Sequence, residues 1–239
     1  MGPDPKVTLI EMAGRILQRV ASKETSDYFR TLHRDHGVDI REGVRLERVL
    51  GNVEVTGAQL SDGTNLEVDF IIVGVGVTPA TALAEKAGLA IENGIRVDKY
   101  GRTRDPVIWA AGDCASFPHT EGRIRIESVP NAIDMGECVA ENMMGAQKPY
   151  MLRPWFWSDQ YSVKLQIAGL NTGYDQVVTR NGSGGVSFWY FKGDQLLAVD
   201  AANDAVAFVV GKRLIDRRST VNRAAIENPY TDLKVLLRE

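Results

Sequence analysis

Residues 70–76 read FIIVGVG, an apolar run with no charged residue. Polar residues do not alternate through it, so it describes a strand covered on both faces rather than one with a wet side. Two covered faces require layers above and below, and in mixed architectures helices supply them. The preceding sequence provides such elements. VTLIE at residues 7–11 reads as a short strand with Glu11 at its carboxyl end, and residues 14–21 carry a helix-like pattern. SKETSDYFRTLHRDHG reads as a helix capped by Ser22 or Thr25 and stopped by Gly37. VDIREGVRLERVLG is extended, and NVEVTGAQL and NLEVDFIIVGVG are strands joined through SDGT, where Asp62-Gly63 is a hairpin-turn signal. The mixture is that of an α/β subdomain.

The pattern continues and then changes. TALAEKAGL is a short helix, Asn93-Gly94 and Tyr100-Gly101 mark turns, VIWAAGD is a buried strand, and ESVPNAIDMGECVAENMMG is a helix. KPYMLRP, with two prolines, is a linker. Beyond it SVKLQIAGL, YDQVVTRN, GVSFWYF and QLLAVDAA follow one another as the strands of an antiparallel meander. DAVAFVVGKRLIDRR is an amphipathic helix that turns Val206, Val209, Val210 and Leu214 inward.

Composition narrows the function classes. The 239 residues suffice for one large domain or two modest ones, and an apolar fraction of 44% argues against disorder. A net charge of −3 does not mark a nucleic-acid binder. No apolar run approaches the ~20 residues of a membrane helix, and MGPDPK is no signal segment. Cys114 and Cys138 form neither a C-x-x-C pair nor a metal-ligand spacing, as in a reduced cytoplasmic protein. His33, His36 and His119 are read as ordinary, and no metal site is expected.

The chemistry is concentrated in TRDPVIWAAGDCASF, residues 103–117. Ala110, Ala111 and Gly112 bare the backbone at a strand tip, where a ligand can approach. Asp113 then offers a carboxylate to a sugar-like hydroxyl. This segment resembles the second flavin-binding motif of FAD-dependent pyridine-nucleotide oxidoreductases. FIIVGVGVTPAT resembles their return from the NAD-binding to the FAD-binding part, and ESVPNAIDMG the segment beside the flavin. PWFWSDQY, residues 154–161, narrows the resemblance to the ferredoxin reductase branch.

The resemblance implies a fold of partial Rossmann-like NAD- and FAD-binding subdomains followed by an α+β carboxyl-terminal domain with an antiparallel sheet. The divisions fall at residues 1–76, 77–149 and 150–239. FAD would be bound by Gly112, Asp113, Ser128, Val129 and Trp157, and NAD by Glu11, Gly74, Gly76 and Glu127. Glu11 would take the adenosine ribose hydroxyls and repel a 2′-phosphate, with Arg15 able to soften that preference. The helix opening at Ser128 and Val129 would favour negative charge on the flavin edge. The implied activity is electron transfer from NADH through FAD to a ferredoxin or rubredoxin. Lys212, Arg213, Arg217 and Arg218 would attract that acidic partner, and no acid–base catalytic residue is named.

Some positions depart from the pattern. Ala80 stands where the family often has asparagine, and Met135 where it often has glutamine. No histidine follows His119, which disfavours the glutathione-reductase branch, and no dithiol of the thioredoxin-reductase type is present. Glu11 is preceded by ten residues, whereas the glycine-rich loop of a dinucleotide site lies about 20 residues upstream of its acid. The sequence therefore looks like a carboxyl-terminal portion without either glycine-rich loop, expected to bind FAD weakly by itself. The alternatives are an inactive fragment or interaction domain, or a flavoprotein with another electron acceptor. Exposed remnants of divided domains are prone to pairing, which would favour homo-oligomers.

Overall fold

The computed structural model describes residues 5–119 and 122–238. The chain divides into two compact units, residues 1–75 and 76–239.

In the first unit β1 (Thr8–Glu11) leads through α1 (Lys23–Asp35) to β2 (Asp39–Glu42), which pairs parallel with β1 from Thr8 opposite Asp39 to Glu11 opposite Glu42. Ser22 caps α1 by accepting the Thr25 N–H, and Phe29 on its inner face is fully buried. Residues 14–21 are turns rather than the expected helix. The Ile16 N–H donates to the Glu42 carboxylate (2.8 Å) instead of to a preceding carbonyl. The Arg15 guanidinium folds back onto Ala21 O and Ser22 O. β3 (Leu46–Leu50), β4 (Gly57–Leu60) and β5 (Asn65–Glu67) form an antiparallel sheet. Its last turn is the one expected, with Thr64 N donating to Asp62. Residues 52–54 bend rather than extend, so β4 starts later than its sequence suggests.

The opening run behaves differently from expectation. Residues 70–76 belong to no strand, and Phe70, Ile72, Val73 and Val75 are exposed. A strand needs a neighbour for its backbone groups, and none of the described strands lies beside this run.

The second unit opens with α2 (Ala82–Lys86) and β6 (Ile95–Arg96). After a 3-10 turn at Gly112–Cys114 come β7 (Ala115–His119), β8 (Gly122–Ile124) and α3 (Val129–Met143). β7 runs parallel to β6 and antiparallel to β8. Here too the sequence reading shifts. VIWAAGD is not a strand; it makes one bridge, Trp109 to Arg102, and the strand proper begins at Ala115. Val97, Ala115, Phe117, Met135 and Val139 form the core beneath α3.

The linker is docked rather than loose. Asn142 donates to Lys148 O (2.8 Å) and accepts from Lys148 N (2.6 Å), Tyr150 N donates to Lys99 O (2.7 Å), and the Tyr150 hydroxyl donates to Asn131 (2.9 Å).

It leads into β9 (Trp155–Gln160), β10 (Val163–Gly169), β11 (Gln176–Asn181), β12 (Val186–Lys192) and β13 (Gln195–Ala202). The sheet order is β11-β12-β13-β10-β9, antiparallel throughout. Only β11 to β13 form the expected meander. β10 pairs with β13 because that strand is buried on both faces from Ala198 to Ala202 and needs a neighbour on each edge. α4 (Ala205–Arg217), α5 (Arg223–Glu227) and a 3-10 turn at Leu233–Leu237 close the core over Trp189, Phe191 and Val199. α4 presses on β13 through Ala207, Val210, Gly211 and Leu214. A Cβ on Gly211 would lie 2.5 Å from Val199 Cγ1. That close approach rotates Val206 and Val209 outward, against expectation.

Candidate cofactor site

The second unit gathers most of the residues singled out from sequence. At the tip before β7, Gly112 has φ +74°, a conformation that favours glycine. A Cβ there would stand 3.4 Å from Ala132 Cβ, so the tip rests on the first turn of α3. Asp113 is exposed, and its carboxylate makes no hydrogen bond among the described residues. Ser128 caps α3 by accepting the Asn131 N–H (3.2 Å). Pro130 has no N–H to offer, which leaves the Val129 N–H as the open donor of that turn.

Arg125 joins these pieces, and sequence reasoning missed it. It donates to Asp113 O (2.9 Å) and Asn93 Oδ1 (3.4 Å) and pairs with Glu127 at 2.6 Å, while only 11% of its side chain is exposed. The signal was the alternation RIRIE, which puts Arg123 and Arg125 on one face of an extended segment. Glu127 is thus tethered by Arg125 beside the Ser128 cap.

β9 lies against α3 and carries Trp157, 42% exposed. Its ring packs on Trp155 (5.7 Å, 31°), and Trp155 packs on Phe208 (5.9 Å). Trp155 is anchored in the core while Trp157 offers an open aromatic face. Under the same helix, burial, followed by the Asp134 charge, pushes the Tyr150 phenol up to about 12. Burial likewise raises the Cys138 thiol, so that cysteine stays a protonated core residue.

In the first unit Glu11 accepts the Ala13 N–H (2.7 Å) through one carboxylate oxygen, and the other is open among the described residues. Glu42, opposite it, is structural. Burial works against its charge, but bonds from Arg30 and the Ile16 N–H outweigh that and hold it below the usual carboxylate range. Arg15 does not serve the role expected of it, because its guanidinium is taken up by Ala21 O, Ser22 O and Ser26. Gly74 has open space where a Cβ would stand, and Gly76 has φ +93°. Neither is brought to the group around Asp113 by any described contact.

Of the basic residues on and after α4, Lys212 pairs with Asp216 (3.4 Å) and Arg217 donates to Leu237 O (3.1 Å). Arg213 and Arg218 are exposed. No group of His, Cys, Asp or Glu among the described residues could hold a metal, and none of their helices is long and apolar enough to cross a membrane.

A bared strand tip with an exposed acid, set against a capped helix opening, suits a cofactor with a polyol or phosphate tail, and Trp157 offers an aromatic face on a strand that contacts the same helix. Residues 4–136 match the pyridine nucleotide-disulphide oxidoreductase family, and the chain belongs to it. Residues 155–237 match the family described as reductase C-terminal. Among individual proteins, the chain is similar to putidaredoxin reductase of Pseudomonas putida, 38% identical over 239 residues that cover 97% of this chain and 56% of that protein. A ferredoxin–NAD(P)+ reductase of Sphingomonas is also 38% identical, covering 94% of this chain and 56% of its own. Among solved structures, a ferredoxin reductase of Rhodopseudomonas palustris superimposes with a TM-score of 0.92 at 39% identity, over 96% of this chain and 58% of that one. The chain therefore spans little more than half the length of the relatives it matches.

Proposed function

We propose that this chain is the carboxyl-terminal portion of an FAD-dependent NADH:ferredoxin, or rubredoxin, reductase. The observation that carries the reading is the meeting of Gly112 and Asp113 with the first turn of α3. Residues 1–76 would serve NAD, residues 77–149 return to the FAD-binding part, and residues 150–239 form the interface domain. The two free thiols suit a cytoplasmic setting.

The residues present fit a flavin. The Asp113 carboxylate can accept a hydroxyl of the ribityl chain, and the Val129 N–H at the positive end of α3 can face the negative edge of the ring. Trp157 supplies an apolar face that excludes water and orients the ring. When bound, FAD supplies the conversion between two-electron and one-electron transfer, and the protein positions and tunes it. Glu127, held by Arg125, would orient the nicotinamide amide. Glu11, with an oxygen open, would bind the ribose hydroxyls of NADH, and the engagement of Arg15 leaves its charge to disfavour a 2′-phosphate. Arg213 and Arg218 would attract an acidic iron–sulfur partner.

A second reading, that the chain alone is inactive, is favoured by the exposed run at residues 70–76. The test is a visible spectrum with added FAD, followed by stopped-flow reduction with NADH and with NADPH. We expect weak flavin binding by this chain and rapid, NADH-selective reduction of the full-length gene product. A full-length product that stays colourless with FAD would refute the flavin assignment, and equal rates with the two nucleotides would remove the role of Glu11.

A further inference from the structure

Asn93 and Gly94 reverse the chain between Ile91 and Ile95, with φ of +49° and +123°. Two consecutive positive values belong to a tight primed turn, which Asn-Gly favours. The turn is pressed close to its neighbours. A Cβ on Gly94 would lie 2.7 Å from Cys114 O and 2.9 Å from Arg125 Cδ. Side chains of the turn reach β8 and the residue after it. Glu92 meets Arg123 Nε at 3.6 Å, and Asn93 Oδ1 accepts from Arg125 Nε (3.4 Å). With Nε held there, Arg125 turns Nη1 to Asp113 O (2.9 Å) and Glu127 Oε1 (2.6 Å). A planar guanidinium spans several acceptors at fixed angles, which a single ammonium does not. The Arg125 side chain is 11% exposed and that of Glu127 34%. Oε1 is the engaged oxygen of Glu127, and Oε2 is open among the described residues.

We propose that Arg125, seated on the Asn93-Gly94 turn, is a positioning residue that registers Glu127 against the Asp113 strand tip. Through Glu127 it sets a selectivity for dinucleotides whose pyridine ring carries a carboxamide. This rests on the reading given under Proposed function, in which Glu127 faces the nicotinamide amide. An ionised carboxylate accepts hydrogen bonds and donates none. Oε2 therefore separates the amide N–H of nicotinamide from the methyl of a ketone in the same place. The separation depends on a carboxylate held still, because a loose one must be ordered on binding and loses part of the gain. The fixed point is the Asp113 carbonyl, which belongs to the turn that would hold the flavin's tail. One guanidinium thus sets the spacing between a flavin contact and a nicotinamide contact.

The experiment uses the flavin-loaded full-length gene product and measures dissociation constants for NAD+ and for 3-acetylpyridine adenine dinucleotide by titration calorimetry. The wild type should prefer NAD+ by about tenfold, as for one hydrogen bond to an ionised acceptor that water can reach. Glu127→Ala should abolish that preference, Arg125→Met should lower it at least threefold, and the double variant should be no worse than Glu127→Ala alone. Arg125→Lys, which keeps the charge and loses the fork, should recover part of it. Flavin absorbance and melting temperature report whether each variant holds its fold; should Arg125→Met fail, a wild-type preference in Arg125→Lys refutes the proposal and a lowered one supports it. A merely structural arginine would weaken both dinucleotides equally, so an unchanged ratio in Arg125→Met overturns the proposal, as does an effect that persists when Glu127 is already alanine. If Glu127→Ala lowers the ratio and Arg125→Met does not, the role of Glu127 stands and this inference alone falls. A ratio that Glu127→Ala leaves untouched removes both.

Discussion

Arg180→Met removes a buried cation whose partners are all backbone carbonyls. The guanidinium, 5% exposed on β11, donates through Nη1 to Ile226 O (2.9 Å) and Asn228 O, and through Nη2 to Pro229 O (3.0 Å) and Thr231 O (2.7 Å). These bonds fix the turn after α5 and so the seating of Ile226, Leu233 and Leu236 in the core. A hydrogen bond from a charged donor contributes about 1.5–3 kcal/mol. Asn228, Pro229 and Thr231 are exposed or half-exposed, so water can replace the cation at their carbonyls, but not at buried Ile226. Removing the cation also recovers its desolvation cost. The net loss should be about 2–4 kcal/mol, and the midpoint should fall by roughly 4–16 °C at about 2–4 °C per kcal/mol. Differential scanning calorimetry on the wild type, Arg180→Met and Arg180→Lys checks this, with lysine recovering part of the loss. If the methionine variant melts at or above the wild type, desolvation cancels the four bonds and the reasoning fails.

Gly169→Ala should cost at least about 3 kcal/mol: at φ +86° its Cβ would lie 2.1 Å from Leu197 O and 2.8 Å from Ala198 Cα, prising β10 off β13. A urea midpoint equal to wild type would contradict it. Tyr150 titrates at about 12 in the fold and near 10 unfolded. The stability tied to its protonated phenol is intact below pH 10 and is lost as pH rises through 12. Tyr150→Phe should therefore be less stable by about 1 kcal/mol near neutrality but flatter over that alkaline window; parallel profiles would rule this out. In the flavin-loaded full-length product, Glu11→Ser should lower the NADH over NADPH preference about tenfold, or 1.4 kcal/mol, and an unchanged ratio in stopped-flow reduction would count against the ribose contact.

Local patterns were legible where they depend on near neighbours. The α1 cap, read as Ser22 or Thr25, the Asp62-Gly63 turn and the helices at α1, α3 and α4 follow from capping chemistry and 3.6-residue spacing. What failed depended on partners distant in sequence. FIIVGVG and VIWAAGD have strand composition but no adjacent strand, and residues 14–21 are unwound by Glu42, far along the chain. The same limit applies to the site. Asp113 and the helix opening at Val129 could be named from the resemblance, whereas Arg125 takes its place only when folding brings Asn93, Asp113 and Glu127 around one guanidinium. The rotation of α4 was hidden because it follows from a glycine pressing on Val199, which no periodicity reports.

The segment clasped by Asn142, Lys99 and Asn131 has a further consequence. It ties the helix whose first turn supports Gly112 to the segment that leads into the strand presenting Trp157. Were a flavin ring to lie against both, as proposed, part of the entropy of aligning its surroundings would be met on folding rather than on binding. Loosening that clasp should therefore appear first as slower capture and faster loss of the ring, ahead of any fall in melting temperature.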